Sequence, residues 1–298
     1  MIIEGAEVRC IVVGDAQLGE GPIWVASESA LYWVDILRSR IYRWAQATGE
    51  TQSWQAPFQV ASLAPVAGGG FIAGTARGFA FVDPDADRYE VIVQPASEPA
   101  GNRFNDGKLD RRGRFWAGTM DNEEKEATGA LYRFSSTGQP LLIDAGYRVT
   151  NGPAFDRAGR RMYHSDSARQ TVFQFDLDDD GQVGSKGIFA QFETGQGYPD
   201  GMTVDSEDCL WVAFWDGWCV RRFSPDGAQI AEVRLSVARP TSCAFGGTDL
   251  GTLFITSARV RLGEDDLAEQ PLAGSLFALE PGVRGIADTL FDRKELPV

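Results

Sequence analysis

FNDGKLDRRGRFWAGT, residues 104–119, holds the plan of the fold in sixteen residues. A polar Asn-Asp-Gly opening runs into a short apolar stretch ending at Leu109. A charged turn containing Gly113 follows, and the aromatic pair Phe115 and Trp116 starts a second strand. Short runs rich in aromatic and β-branched residues, punctuated by Gly, Asp and Pro, read as strands joined by tight turns. The same plan recurs on either side. Upstream stand GEGPIWVASESALYWVD from Gly19 and SLAPVAGGGFIAGT from Ser62. Downstream stand TNGPAFDRAGRRMYHSD from Thr150, YPDGMTVDSEDCLWVAF from Tyr198 and PTSCAFGGTDLGTLFIT from Pro240. Further strands follow several of them: IYRW from Ile41, LYRF from Leu131, VFQFD from Val172 and VRRFS from Val220. No long stretch carries a helical period.

Aligned on Glu20, Ala61, Asn105, Asn151, Asp200 and Thr241, the units repeat every 41 to 49 residues, roughly the period of a four-stranded propeller blade. Six such units occupy nearly all of the 298 residues, which predicts one all-β domain over 1–298, a six-bladed β-propeller with four-stranded blades. A strand around Val8 to Val13 is expected to join the last blade beside SLFALE, from Ser275, and close the ring. A β-sandwich or two stacked barrels would not produce six units of this period.

The first strand of each propeller blade lines the central channel, so equivalent positions converge on the axis. The six anchors each lie five residues before a common turn position, occupied by Val25, Val66, Asp110, Asp156, Asp205 and Gly246. Five of the six anchors carry oxygen, and Glu20 and Asp200 are acids. Two carboxylates brought together in a poorly hydrated channel repel each other unless a cation lies between them, and an all-oxygen set suits a hard divalent ion. Asn-Gly and Asp-Gly are also common hairpin turn signals, so Asn151-Gly152, Asp106-Gly107 and Asp200-Gly201 have a plain structural reading too. Glu20-Gly21 shares the register without being such a dipeptide.

Composition narrows the function. With 28 basic and 42 acidic residues the formal net charge is −14, which argues against a nucleic-acid partner and against docking on anionic lipid. The start MIIEGAEVRC has acids where a signal peptide would carry basic residues, and no apolar run approaches a membrane span. A cytoplasmic protein is expected. Its four cysteines, Cys10, Cys209, Cys219 and Cys243, form no CxxC pair and are expected as thiols.

Four motifs now stand in order: LGEGPIW with Glu20, RFNDGKLDRRGRFWAGTM from Arg103, TNGPAF with Asn151 and YPDGM with Asp200. Together they resemble the senescence-marker-protein, gluconolactonase and regucalcin family of metal-dependent sugar lactonases, nearest its bacterial xylonolactonase-like branch. The resemblance spans nearly the whole chain. It implies a six-bladed propeller in which Glu20, Asn151 and Asp200 bind one divalent metal ion, with Arg103 and Asn105 contacting the substrate. It also makes Asp200 the candidate general base in hydrolysis of a pentono- or hexonolactone. Calcium, magnesium and manganese suit the oxygen ligands, and relatives are also linked to zinc and iron(II). Asp106 is a reserve base and substrate contact. The stretch Asp121, Asn122, Glu123, Glu124 departs from relatives that place a substrate-binding glutamate soon after GTM. A phosphotriesterase or arylesterase on the same scaffold, and a non-catalytic calcium-binding propeller, are the competing readings.

Other signals read as structure. His164, the sole histidine, neighbours Ser165 and Asp166 on one strand, where a Ser-His-Asp triad cannot converge. Asp176, Asp178, Asp180 and Gly181 imitate an EF-hand loop but put Gly187 where its glutamate belongs. Trp215 and Trp218 suit either a sugar-facing wall or packing.

Overall fold

The computed structural model describes residues 7–135 and 138–293. Six four-stranded antiparallel sheets follow one another along the chain. Their first strands are Gly19–Val25, Val60–Pro65, Asn102–Leu109, Thr150–Phe155, Tyr198–Val204 and Pro240–Gly246. Each packs on the first strand of the next sheet and the sixth returns to the first, so the sheets are the blades of a closed six-bladed propeller. The sixth blade takes its outer strand from the other end of the chain. Arg9–Val12 pairs with Leu276–Leu279, Arg9 opposite Ala278 and Cys10 opposite Phe277, as the sequence pattern predicts. The acidic start read at residues 1–6, and the last residues 294–298, lie outside the described set.

Burial falls outward along each blade, and the sequence follows it. Val60–Pro65 and Thr150–Phe155 are buried throughout, which selects small and apolar side chains near the axis. The outer strand Thr51–Gln55 reads TQSWQ, and only Trp54 is half-buried. Aromatic rings fill the wedges between blades: Phe79 stacks on Phe134 at 4.7 Å and meets Phe104 at 4.5 Å. Offset and tilted ring pairs of this kind stabilise beyond their area alone.

The common turn position is a structural device. Asp110 accepts the backbone N–H of Arg112 and Arg114 and the indole N–H of Trp116 at 2.9 Å. Asp205 does the same with Glu207, Cys209 and Trp211, the last at 2.8 Å. One buried carboxylate thereby closes the turn and anchors the aromatic residue of the next strand. Asp35 and Asp166, both fully buried, hold the entry loops of blades one and four through the N–H groups of Gln17 and Leu18, and of Arg148 and Val149.

The segment after the last blade crosses the far ends of the first strands. Gly285 bridges to Asp205, Phe291 bridges to Val66, and Thr289 donates to the carbonyl of Asp110. The buried Phe291 ring stacks on Phe134 at 5.9 Å. The only α-helix among the described residues is Glu264–Glu269, and no helix is long and apolar enough to cross a membrane. Of the EF-hand-like acids, Asp176 lies in the strand Thr171–Leu177, and Asp178 and Asp180 lie in the hairpin turn that follows, where Asp178 accepts the N–H of Gln182 at 2.7 Å. His164 is fully buried, edge-on to Tyr147 at 5.0 Å, and burial lowers its pKa to about 3. It is a neutral packing residue. The four cysteines are free thiols.

Candidate active site

All six anchors sit at an irregularity of the ladder. Pairing with the second strand breaks between Glu20 and Ile23, Val60 and Ser62, Phe104 and Asp106, Asn151 and Ala154, Pro199 and Met202, and Pro240 and Cys243. A bulge releases a residue from pairing and re-aims its side chain. The Asn-Gly and Asp-Gly pairs therefore lie within strands and are not hairpin turns. Gly201 is required for close approach: a Cβ there would lie 2.1 Å from Ser242 Oγ of the next blade. Gly152 has φ +82°, a conformation that side chains resist.

A cavity of about 600 Å³ opens where these bulges meet, lined by Glu20, Asn105, Asn151 and Asp200 among the anchors. The other two anchors are absent from the wall. Ala61 has no polar side chain, and Thr241 is buried between Thr256 Oγ1, at 2.8 Å, and the Gly19 carbonyl. Blade three adds Arg103, Asn122 and Glu124, blade four adds Arg148 and Ser167, and blade five adds Tyr198, Trp215 and Asp216. Arg239 and Arg261 complete the rim, and the Arg239 guanidinium lies 4.8 Å from the centre of the Trp215 ring. Trp218 is exposed and is not part of this wall.

A directed chain of hydrogen bonds fixes the amides. Arg103 Nη1 donates to Asn105 Oδ1 at 2.7 Å, and Arg103 Nε donates to Asn122 Oδ1 at 3.1 Å. Asn105 Nδ2 donates to the Thr150 carbonyl at 2.8 Å and to Asn151 Oδ1 at 3.0 Å. Asn151 Nδ2 donates to Ser167 Oγ at 2.8 Å, and the Ser167 hydroxyl donates in turn to the Pro199 carbonyl at 2.6 Å. Both N–H groups of Asn105 are thus engaged, so its Nδ2 already has protein acceptors where the residue reaches the cavity wall. Asn105 orients Asn151, whose carbonyl keeps a second lone pair.

Glu20 and Asp200 are 4% and 6% exposed. Glu20 Oε2 accepts the Gly21 N–H at 3.0 Å and Asp200 Oδ1 accepts the Gly201 N–H at 3.1 Å. Among the described residues no protein donor meets the second oxygen of either. Burial, and then the charge of Asp106, push Glu20 up to about 8. Burial, followed by Glu20 and Asp106, holds Asp200 well above the usual carboxylate range. Arg103 is lowered to about 10 by burial. Two desolvated acids with unsatisfied oxygens, beside an amide oxygen, fit a hard divalent cation. Among the described residues no three His, Cys, Asp or Glu side chains cluster for a metal; the set here is two acids and an amide.

Asp106 departs from expectation. One of its oxygens accepts the Gly107 N–H at 2.7 Å and the other the Gly152 N–H at 2.8 Å, and it is absent from the cavity wall. It joins blade three to blade four in place of the substrate contact read for it. The ambiguous stretch after Met120 also separates. Asn122 and Glu124 reach the wall, while Asp121 accepts the N–H groups of Glu123, Lys125 and Glu126 in a turn. Ser167, on the wall, is not among the residues the sequence motifs single out; its signal is the position directly after the buried Asp166.

The sequence matches the SMP-30/Gluconolactonase/LRE-like region over residues 18–259. The chain belongs to this family. A 6-deoxy-6-sulfogluconolactonase of Pseudomonas putida is 36% identical over 285 residues, covering 95% of this chain and 98% of that protein. A pentonolactonase of Haloferax volcanii is 33% identical over 289 residues, with 93% and 96% coverage. The crystal structure of a calcium-binding regucalcin from Agrobacterium tumefaciens superposes with a TM-score of 0.92 at 26% identity, covering 96% of this chain and 97% of that one. The SMP-30/gluconolactonase match takes in every anchor from Glu20 to Thr241.

Proposed function

We propose that this protein hydrolyses a sugar lactone to its aldonic acid, with one divalent cation held by Glu20, Asn151 and Asp200. The observation that carries the reading is the pair of buried carboxylates, each with one oxygen clear of protein donors, facing a cavity that has room for a sugar beside Arg103. The names of the lactonase relatives support the substrate class, and the calcium-binding neighbour supports the cation. The cation, when bound, supplies Lewis-acid polarisation of the ester carbonyl.

The chain's own groups do the rest. Asp200 takes the proton of the attacking water on Oδ1, the oxygen that accepts the Gly201 N–H, and its other oxygen would hold the cation. Burial and the nearby Glu20 raise its proton affinity, which offsets the lowering a cation imposes. The water oxygen bonds to the carbonyl carbon, the ring C–O bond opens, and the departing ring oxygen takes up the proton. Arg103 has Nη1 and Nε engaged by Asn105 and Asn122, which leaves Nη2 to donate to the substrate or to its developing negative charge. Asn105 and Ser167 fix the Asn151 amide, whose oxygen would serve as a ligand to the cation.

We further infer that residues 1–298 form one propeller domain, and that it works in the cytoplasm, in keeping with its free thiols. The test is a panel of pentono- and hexonolactones, aryl esters and organophosphates. It is run on chelated protein with calcium, magnesium, manganese, zinc or iron(II) restored singly. Lactone turnover restored by metal is expected. Turnover of esters or organophosphates alone would replace the substrate class, and tight calcium binding with no turnover would favour a binding protein.

A further inference from the structure

The cavity wall carries four arginines in a protein of net charge −14. Three have protein partners. Arg103 donates to Asn105 and Asn122, and Arg239 pairs with Asp216 at 2.6 Å. Arg261 grips both oxygens of Glu124, at 2.8 and 3.1 Å, linking blade six to blade three. Among the described residues the Arg148 guanidinium has no acceptor, and its residue is exposed at the cavity.

Its backbone, in contrast, is fixed. The Arg148 N–H donates to Asp166 at 3.1 Å, as the Gln17 N–H donates to Asp35 at 2.8 Å in blade one. Arg148 stands three residues before the anchor Asn151. The same position in the other blades holds Gln17, Phe58, Asn102, Gly197 and Ala238. None is charged, so the fold places no demand for a cation there. Arg148 therefore presents a free guanidinium to the cavity from a pinned root, in one blade of six.

Charge points to what it recognises. The four arginines face four acids on the wall, Glu20, Glu124, Asp200 and Asp216. A divalent cation at Glu20 and Asp200 leaves the loaded cavity with a surplus of two positive charges, one of them concentrated on Arg148. Guanidinium is matched in shape and charge to carboxylate and sulfonate oxygens. We infer that Arg148 is a specificity-determining residue for a lactone bearing an anionic substituent, a carboxylate or sulfonate on the carbon chain away from the ester. This deepens the lactonase reading and rests on it.

The experiment compares kcat/KM for a neutral hexonolactone with its 6-sulfo and 6-carboxylate counterparts, in the wild-type protein, R148Q and R148K. An anionic lactone is expected to be preferred by about tenfold, the size of one charge-assisted hydrogen bond, and the preference should shrink with added salt. R148Q should cut the anionic substrate about tenfold more than the neutral one, and R148K should restore part of the gap. A second readout is independent of turnover. Calorimetric binding of a sugar sulfonate that carries no ester should tighten on metal loading and weaken in R148Q. Equal use of neutral and anionic lactones, or a preference unchanged in R148Q, overturns the assignment of Arg148 alone. Turnover of no lactone at all overturns the hydrolase reading and this inference with it.

Discussion

Glu20 and Asp200 are costly residues to bury, and burial together with neighbouring acids raises the pKa of both. A carboxyl whose pKa rises on folding stabilises the fold below its unfolded pKa and loses that contribution as pH climbs through the folded one. For Glu20 this window runs from about 4.5 to about 8. The chelated protein is therefore expected to melt at progressively lower temperature across that range. Metal should protect it more as pH rises, because protons compete for the same oxygens. Melting curves with and without chelator at several pH values check this, and a gap that narrows with rising pH would contradict it. Asp200→Ala is expected to abolish both turnover and the metal-induced melting shift. Wild-type activity in the metal-replete variant would remove Asp200 from the mechanism. Ser167→Ala takes away the acceptor of Asn151 Nδ2 and is expected to weaken metal binding about tenfold, as loss of outer partners commonly does. The acids and amides were legible because they share one repeat position. Ser167, Glu124 and Arg148 lie outside that position, on connections that differ from blade to blade, so no repeat marked them.

At the scale of the strand, the bulge does what spacing alone cannot express. The sequence places Asn105 and Asp106 side by side, and an irregularity between Phe104 and Asp106 sends one to the cavity and the other to the N–H groups of Gly107 and Gly152. Which neighbour faces the axis is a matter of register, and a one-residue shift exchanges them. Spacing alone therefore does not tell Asn105, on the cavity wall, from Asp106, which is held by the two N–H groups. Gly201, directly after the anchor Asp200, lets the strands of blades five and six crowd together. Gly201→Ala is expected to drive a methyl group into Ser242 and cost about 1–3 kcal/mol, as overpacking does. Chemical denaturation measures it, and an unchanged midpoint would mean that blades five and six tolerate separation at the axis.

The whole molecule is a ring fastened twice. Arg9–Val12 completes the sixth blade, and the segment from Gly285 to Phe291 ties the far ends of the first strands of blades five, three and two. The first fastening was readable because a strand pattern stood at the N-terminus with a vacant place beside SLFALE. The second was not, since 285–291 has no counterpart in any repeat. Phe291→Ala empties a buried aromatic site against Phe134 and is expected to cost about 3–5 kcal/mol, read by denaturant unfolding. Loss below about 1 kcal/mol would make this segment a passive cover. The ring matters because it brings residues 20, 151 and 200 to the wall of one cavity. The most direct measurement is a crystal structure of manganese-loaded protein with anomalous difference maps. One peak is expected on the axis, roughly 2.1–2.6 Å from oxygens of Glu20, Asn151 and Asp200. A peak elsewhere, or an axis without one at saturating manganese, would contradict a shared cation at these three residues.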